Sequence, residues 1–438
     1  FLGELQRGYY DEMHGHLRKI GVRVPIAGTN QTFIAADTFV DSDVNDFMSR
    51  NQYWRHPHRQ AKPFFKFANE PMIHVDLPTE RTPLAVIAKT SVAGKPQAVA
   101  EFNFPWPNEY RAEGWVMSAA YACLQDWDVF LLFSYGTDEQ RLSMFRSQSD
   151  PARWGTFPAA AALFHRQDVA AGKNEVHVIE SLDARFRPQP HTRRAKHTAF
   201  RFLTFLSKVR TAFVDQQYQG DADVALACGA SAEVPVAEEI DVIRLPQSPY
   251  THWLHPAFVN AARQLALPGY QDRRARPGYF ESDTGELALN YADGLFTINT
   301  PRTKTAIGLL ADAGMVDLNG LTVDSPMPFA AITATSLDVQ PIGRAQRVLV
   351  TAVARAENTS QGYWPPTEEQ RRWSATCWML PAEGRLPVLA EPVRAAVGLR
   401  MPAEASVYAL DPSGKRGPRV PSHWADGTLR FDPAEAES

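Results

Sequence analysis

Leu2, Leu5, Tyr9, Met13, Leu17 and Ile20 recur at three- and four-residue steps, which predicts an amphipathic helix ended by Gly21. Residues 22–26 predict a short strand that runs out into Asn30 and Gln31. Residues 32–39 are apolar and mixed, and 41–50 lead into a strand-end loop, 51–57, rich in aromatic and polar tips; 62–77 read as irregular. Beyond them the pattern predicts a helix over 83–92, a buried strand over 97–100 and a helix over 113–125 with Trp115, Met117, Ala120, Tyr121 and Leu124 in period. A strand over 129–133 stops at Ser134, Tyr135 and Gly136, and its unbroken apolar run is that of a strand covered on both faces. A helix over 158–164 closes the series.

Four successive strand and helix units predict an α/β fold, half of a (β/α)8 barrel over residues 1–168. Past Asp168 alternating patches at 175–179, 294–298, 347–353 and 405–410, separated by Gly, Pro, Asp and Asn, predict mostly antiparallel structure. Residues 169–438 therefore read as an all-β, sandwich-like accessory region, subdivided near 290–300, with a helical interruption around 197–213. Thr300 to Thr305 reads as a structural turn.

Composition narrows the chemistry. Lys and Arg number 45 against 49 Asp and Glu, a net charge of −4, so no basic field argues for nucleic acid. The three cysteines lie far apart with no CxxC spacing, against a disulfide framework or a cysteine-rich zinc site. No apolar run of about 18 residues is present to span a bilayer. The GxGxxG, P-loop, HExxH and GxSxG patterns are absent, so no cofactor or metal is expected. Secretion or surface display would follow if the full-length protein carries a signal peptide; oligomeric state is left open.

What is left is a carboxylate. Glu101 stands at the end of the 97–100 strand and opens an aromatic, proline-rich loop, and in a parallel barrel chemistry sits at the carboxyl ends of strands. The plain alternative is a solvated Glu. Tyr53 is the next candidate, able to orient that carboxylate with its hydroxyl, or simply to cap the barrel rim. Trp54 and Trp106 are read as loop rings that either stack on a sugar face or belong to the core, and Asn30 and Tyr135 as strand-end residues on the same face. His56 reads as a structural loop residue, and Glu109 as a helix-start or ion-pair residue beside Arg111.

Together these motifs resemble the second half of the catalytic barrel of clan A retaining glycoside hydrolases, the group with cellulase-like and β-galactosidase-like members. The resemblance rests on Val24 to Asn30 as strand five, Tyr53 to Pro57 after strand six, Ala98 to Asn103 with Pro107 to Arg111 as strand seven, and Asp128 to Tyr135 as strand eight. Ser282 to Glu286 and Phe296 to Thr303 are similar to the β-rich region of bacterial cellulase-like members. It implies that Glu101 is the nucleophile, that the substrate is a β-linked poly- or oligosaccharide, and that a second carboxyl serves as acid/base. Asn51 stands where relatives often carry His. The Asn69-Glu70-Pro71 stretch imitates the acid/base motif, but two barrel units cannot fit between Glu70 and Glu101, since one βαβ unit takes roughly 30 residues. With strand five at the start of the chain, the resemblance implies that strand four and its acid/base precede Phe1, so the chain is expected to be the C-terminal part of a larger enzyme, carrying the nucleophile without completing the reaction. The rival expectation is a carbohydrate-binding or surface-assembly protein without turnover.

Overall fold

The structure, a computed structural model, describes residues 1–31, 35–59, 65–74, 82–136, 140–182, 200–245, 256–264, 275–365, 367–368 and 377–436. It is a mixed α/β fold in which parallel sheets alternate with helices, followed by a β-rich C-terminal region. The first unit runs α1 (Leu2–Lys19), α2 (Ala35–Val44), β1 (Met48–Tyr53), β2 (His58–Arg59), β3 (Phe65–Ala68), α3 (Pro83–Thr90), β4 (Gln97–Asn103), α4 (Gly114–Leu124), β5 (Val129–Leu132), α5 (Pro151–Trp154) and α6 (Phe157–Arg166). Thr82 caps α3 by accepting from the Ala85 N–H, and Pro83 begins it, so this helix starts where local chemistry dictates. Its buried Leu84, Ile87 and Ala88 join the fully enclosed α4 in the main core.

β1, β4 and β5 form a parallel sheet in the order β1-β4-β5. No closed eight-stranded barrel is present among the described residues, and the predicted 22–26 strand is not one. Pro25 has no N–H to give a ladder, and the backbone there is held by side chains: Arg18 donates to the carbonyls of Val22 (3.1 Å) and Val24 (2.9 Å), and the Ile26 N–H donates to Asp46 (2.7 Å). Farther along, the Asn51 N–H of β1 donates to the Asn30 carbonyl at 3.0 Å, so the segment lies along the β1 edge. Two burial expectations are also corrected. In α1 the stripe residues Leu2, Leu5, Tyr9, Met13 and Ile20 are exposed and Tyr10 is the buried one, because the helix packs on α2 through its other face. β5 is an edge strand with Val129 and Leu131 exposed, not one covered on both sides.

The larger correction comes after Asp168. β6 (Glu175–Ser181), β7 (Lys208–Val214), β8 (Val224–Cys228) and β9 (Val242–Leu245) form a second sheet, order β7-β6-β8-β9, in which every pairing is parallel. Residues 208–213, expected helical, are strand; helix is confined to 200–203 among the described positions of that stretch. An alternating run does not reveal the direction of its partner, and the connection 182–207 exceeds the dozen residues a parallel crossover needs. β8 is buried at all five positions, the pattern of a strand covered on both faces.

Beyond β9 every pairing between described strands is antiparallel. A seven-stranded sheet running from Ala275–Arg276 to Val348–Val353 faces a five-stranded sheet that includes Leu321–Asp324, Ala396–Arg400 and Thr428–Phe431. Ile332, Ala334, Val323, Val397, Leu399 and Phe431 fill the space between them. Of the turn expected over 300–305, residues 300–302 turn, with Thr300 Oγ1 donating to the Thr303 carbonyl at 2.8 Å, and Thr303 already opens the strand Thr303–Gly308. Arg302 of that turn pairs at 2.9 Å with Asp168 at the end of the first unit.

Two further features join this region to the first unit. Strand Cys377–Ala382 pairs antiparallel with β3, so one four-stranded sheet draws on both sides of the expected boundary. The other is a charge cluster without solvent exposure. Asp150 accepts from Arg111 (2.8 and 3.1 Å) and from Arg153 (2.7 Å), and all three side chains are fully buried. Arg111 also donates to the carbonyls of Asn108 (2.7 Å) and Ala356 (3.0 Å). Burial opposes the charge of Asp150, yet the two guanidiniums prevail and hold its carboxyl below the usual carboxylate range.

Asp150→Ala leaves two buried cations without a counter-charge and is expected to cost about 3–5 kcal/mol, read from the urea midpoint. A second buried acid has a pH signature. Glu113 is enclosed, and burial raises its pKa from 4.5 to about 8 although the Met72 N–H (2.5 Å) and the Ile73 N–H oppose the rise. The folded state then keeps a proton that the unfolded chain releases near 4.5, so stability falls as pH rises from about 5 to 8, by at most about 1.4 kcal/mol per pH unit. Glu113→Gln should flatten that part of the stability profile; an unchanged slope would refute the assignment.

Candidate active site

β4 does not run straight past β1. Val99 pairs with Arg50, but Asn51 pairs with Glu101, and on the other side Val99 faces Phe130 while Phe102 faces Leu132. One extra residue in β4, Ala100 against β1, makes a bulge at 100 and 101, a device that bends a strand and re-aims a side chain. Glu101 emerges half-buried near the carboxyl end of β4, and Tyr53 ends the neighbouring parallel strand. The Tyr53 hydroxyl donates to the Glu101 carboxylate. Burial, and then the Glu101 charge beside it, push the Tyr53 pKa well up, so the phenol stays a neutral donor.

Rings wall this pair. Phe145, His56 and Phe133 lie 5.2, 5.5 and 6.3 Å from the Tyr53 ring. His56 Nδ1 lies 2.8 Å from the Pro57 carbonyl, which can only accept, so Nδ1 carries the proton. Asn103, fully buried, donates through Nδ2 to the carbonyls of Phe133 and Phe145 (3.0 Å for the latter) and ties two ring-bearing loops to β4. Beyond the rings opens a cavity of about 640 Å³, within the 300–1,000 Å³ range of small-molecule sites. His56, Trp106, Phe133 and Phe145 line one part of it, and Arg141, Arg146 and Glu383 bring charge.

The other expected residues fall unevenly. Asn30 reaches the edge of the site through its backbone, by the bond to Asn51. Asn51 itself is in register with Glu101 and nearly buried, and its Oδ1 accepts no hydrogen bond among the described residues. Trp54 is 1% exposed and its Nε1 donates to the Glu70 carbonyl at 3.1 Å, so the expected sugar-facing ring is a core residue packed near Phe104. Trp106 is equally buried, with Nε1 donating to Gln361 at 3.0 Å, and meets the cavity only as part of its wall. Both corrections share one cause: the C-terminal region and the 65–74 segment cover loops that look solvent-facing in sequence. Tyr135 is half-exposed, packs against Trp154 at 5.3 Å and does not line the cleft.

Glu70 lies between β3 and α3, where it pairs with Arg55. Glu109 takes its ion pair from Arg355 at 3.6 Å and not from Arg111, whose guanidinium serves Asp150. Asn103, Phe133, Phe145, Arg141 and Glu383 carried no sequence signal for this site, although Asn103 stands two residues after Glu101. A larger cavity, about 760 Å³, is lined by Gly94 and Lys95 ahead of β4, and so lies at the opposite end of the strand from Glu101. Among the described residues no cluster of three or more His, Cys, Asp or Glu is arranged to hold a metal, and no helix is long and apolar enough to cross a membrane.

Comparison with protein families, with curated proteins and with solved structures found no match for this chain. Chemical meaning is therefore drawn from the geometry. The scaffold is of a general α/β, enzyme-like kind, and its site presents one oriented carboxylate in an aromatic setting beside a cleft lined by both rings and charged groups.

In Glu101→Gln the Tyr53 pKa is expected to fall yet stay above the ordinary 10.0, because burial, the larger cause, is untouched. Ring-labelled tyrosine NMR across alkaline pH would read it, and an unmoved Tyr53 titration would show that the two groups are not coupled.

Proposed function

We propose that this chain carries the nucleophile of a retaining glycoside hydrolase acting on β-linked poly- or oligosaccharides, with Glu101 in that role. The observation that supports it is the Tyr53 hydroxyl bound to Glu101 at the carboxyl ends of adjacent parallel strands. A neutral phenol engages one carboxylate oxygen and leaves the other for attack at the anomeric carbon. In the reaction a C–O bond forms to Glu101 as the glycosidic C–O bond breaks, and water later releases the sugar with its configuration retained. The departing oxygen takes a proton from a second carboxyl, normally about 5–5.5 Å from the nucleophile in a retaining enzyme. The carboxylate that lines the neighbouring cleft, Glu383, is engaged by Arg141.

That last observation favours a second reading, a carbohydrate-binding protein without turnover. One experiment separates them. A 2-deoxy-2-fluoro glycoside with a dinitrophenolate leaving group needs no proton donor, so the nucleophile can be tested on the chain as it stands. Across gluco, galacto, manno and xylo forms, one should give a covalent glycosyl adduct on the peptide holding Glu101, absent in Glu101→Gln, by intact and peptide mass spectrometry. Where aryl β-glycosides turn over, Glu101→Ala should lose activity by about 10³-fold or more, with azide restoring a product of inverted configuration. Binding of sugars with no adduct from any of the four would establish the second reading.

A further inference from the structure

The strand Cys377–Ala382 is followed by a turn that carries Glu383 to the mouth of the 640 Å³ cleft, across from Arg141 of the loop after β5. The Arg141 guanidinium lies 3.1 Å from the Glu383 carboxylate. Asn358, fully buried, holds both backbones in place. It accepts from the Leu142 N–H at 2.8 Å and donates to the carbonyls of Leu142 (3.3 Å) and Glu383 (2.7 Å). The buried Arg153 braces the same loop from below, donating to the carbonyls of Ser143 (2.9 Å), Met144 (3.1 Å) and Arg146 (2.6 Å).

This much bracing does not serve the ion pair itself. Arg141 and Glu383 keep 43% and 30% of their side-chain surface in solvent, where such a pair adds little stability. What it fixes is a surface: guanidinium donors and carboxylate acceptors side by side, next to the rings of Phe133 and Phe145 that pack on Tyr53. Donors and acceptors suit the neighbouring hydroxyls of a sugar, rings suit its apolar face, and a rigid wall saves the ordering cost of binding.

We infer that Arg141 and Glu383 form a second sugar subsite, built jointly by the first unit and the C-terminal β region, and that the ligand is an oligosaccharide longer than the one residue that meets Glu101. This rests on the glycoside reading of Glu101.

The test is calorimetric titration of the whole chain carrying Glu101→Gln, with β-linked gluco-, galacto-, manno- and xylo-oligosaccharides of one to six units. Affinity for one series should rise about tenfold or more between one unit and three. Adding Glu383→Ala or Arg141→Ala should remove most of that rise; both side chains are part-exposed, and an unchanged urea midpoint confirms that each variant folds. Affinity independent of chain length, a rise that survives both substitutions, or no binding by any series overturns the subsite. The nucleophile stands or falls separately, on the fluoroglycoside adduct. An adduct without chain-length preference keeps Glu101 and removes the subsite, and chain-length preference without an adduct does the reverse.

Discussion

A buried carboxylate facing two buried guanidiniums organises the region around the site. Asp150 has no solvent to stabilise its charge, and neither have Arg111 and Arg153, so each depends on the others being in place. The geometry answers that need: Arg111 offers two nitrogens to both carboxylate oxygens, and Arg153 adds a third bond. Their remaining N–H groups then fix backbone elsewhere. Arg111 pins the loop after β4 and the Ala356 carbonyl of the C-terminal region, and Arg153 pins the loop that bears Phe145. One acid thereby sets the distance between the wall of the cleft, the end of β4 and the β-rich region.

The site is a consequence of register within that frame. Parallel pairing brings the ends of β1 and β4 to the same side of the sheet, and the bulge at 100 and 101 turns Glu101 toward the Tyr53 hydroxyl. Asn103 then secures the carbonyls of Phe133 and Phe145, so the rings around Tyr53 are held by β4 itself. Fold alone does not specify chemistry. The functional reading accordingly rests on the oriented carboxylate and its aromatic walls, and the substrate reading on the polar groups beyond them.

Several local features followed from local chemistry. The helix at 83–90 has its cap and its proline in sequence, and the strand delivering Glu101 shows as an apolar run before a charge. The helix at 114–124 shows its apolar residues in period, but not that every one of its positions is buried. Arg111 illustrates the limit. Beside Glu109 it reads as half of a local ion pair, whereas its partner, Asp150, is a residue the chain brings back from after β5.

The sequence by itself determined α1 and the series α3, β4, α4, β5 and α6, the α/β texture there, the β-rich texture of the C-terminal portion and the placing of Glu101 near a strand end. These depend on spacing and on residues close in the chain. In contrast, α2, β1 and β3 lie where it predicted mixed chain, a strand-end loop and irregular chain. Tertiary structure alone decided that the strands after Asp168 first form a second parallel sheet, that Trp54 and Trp106 are enclosed while the α1 stripe is not, and that Glu383 and Arg141 meet across one cleft. The physical reason is the same in each case. Periodicity reports which side of an element is apolar, while burial, strand direction and charge pairing are set by whatever distant segment comes to lie against it.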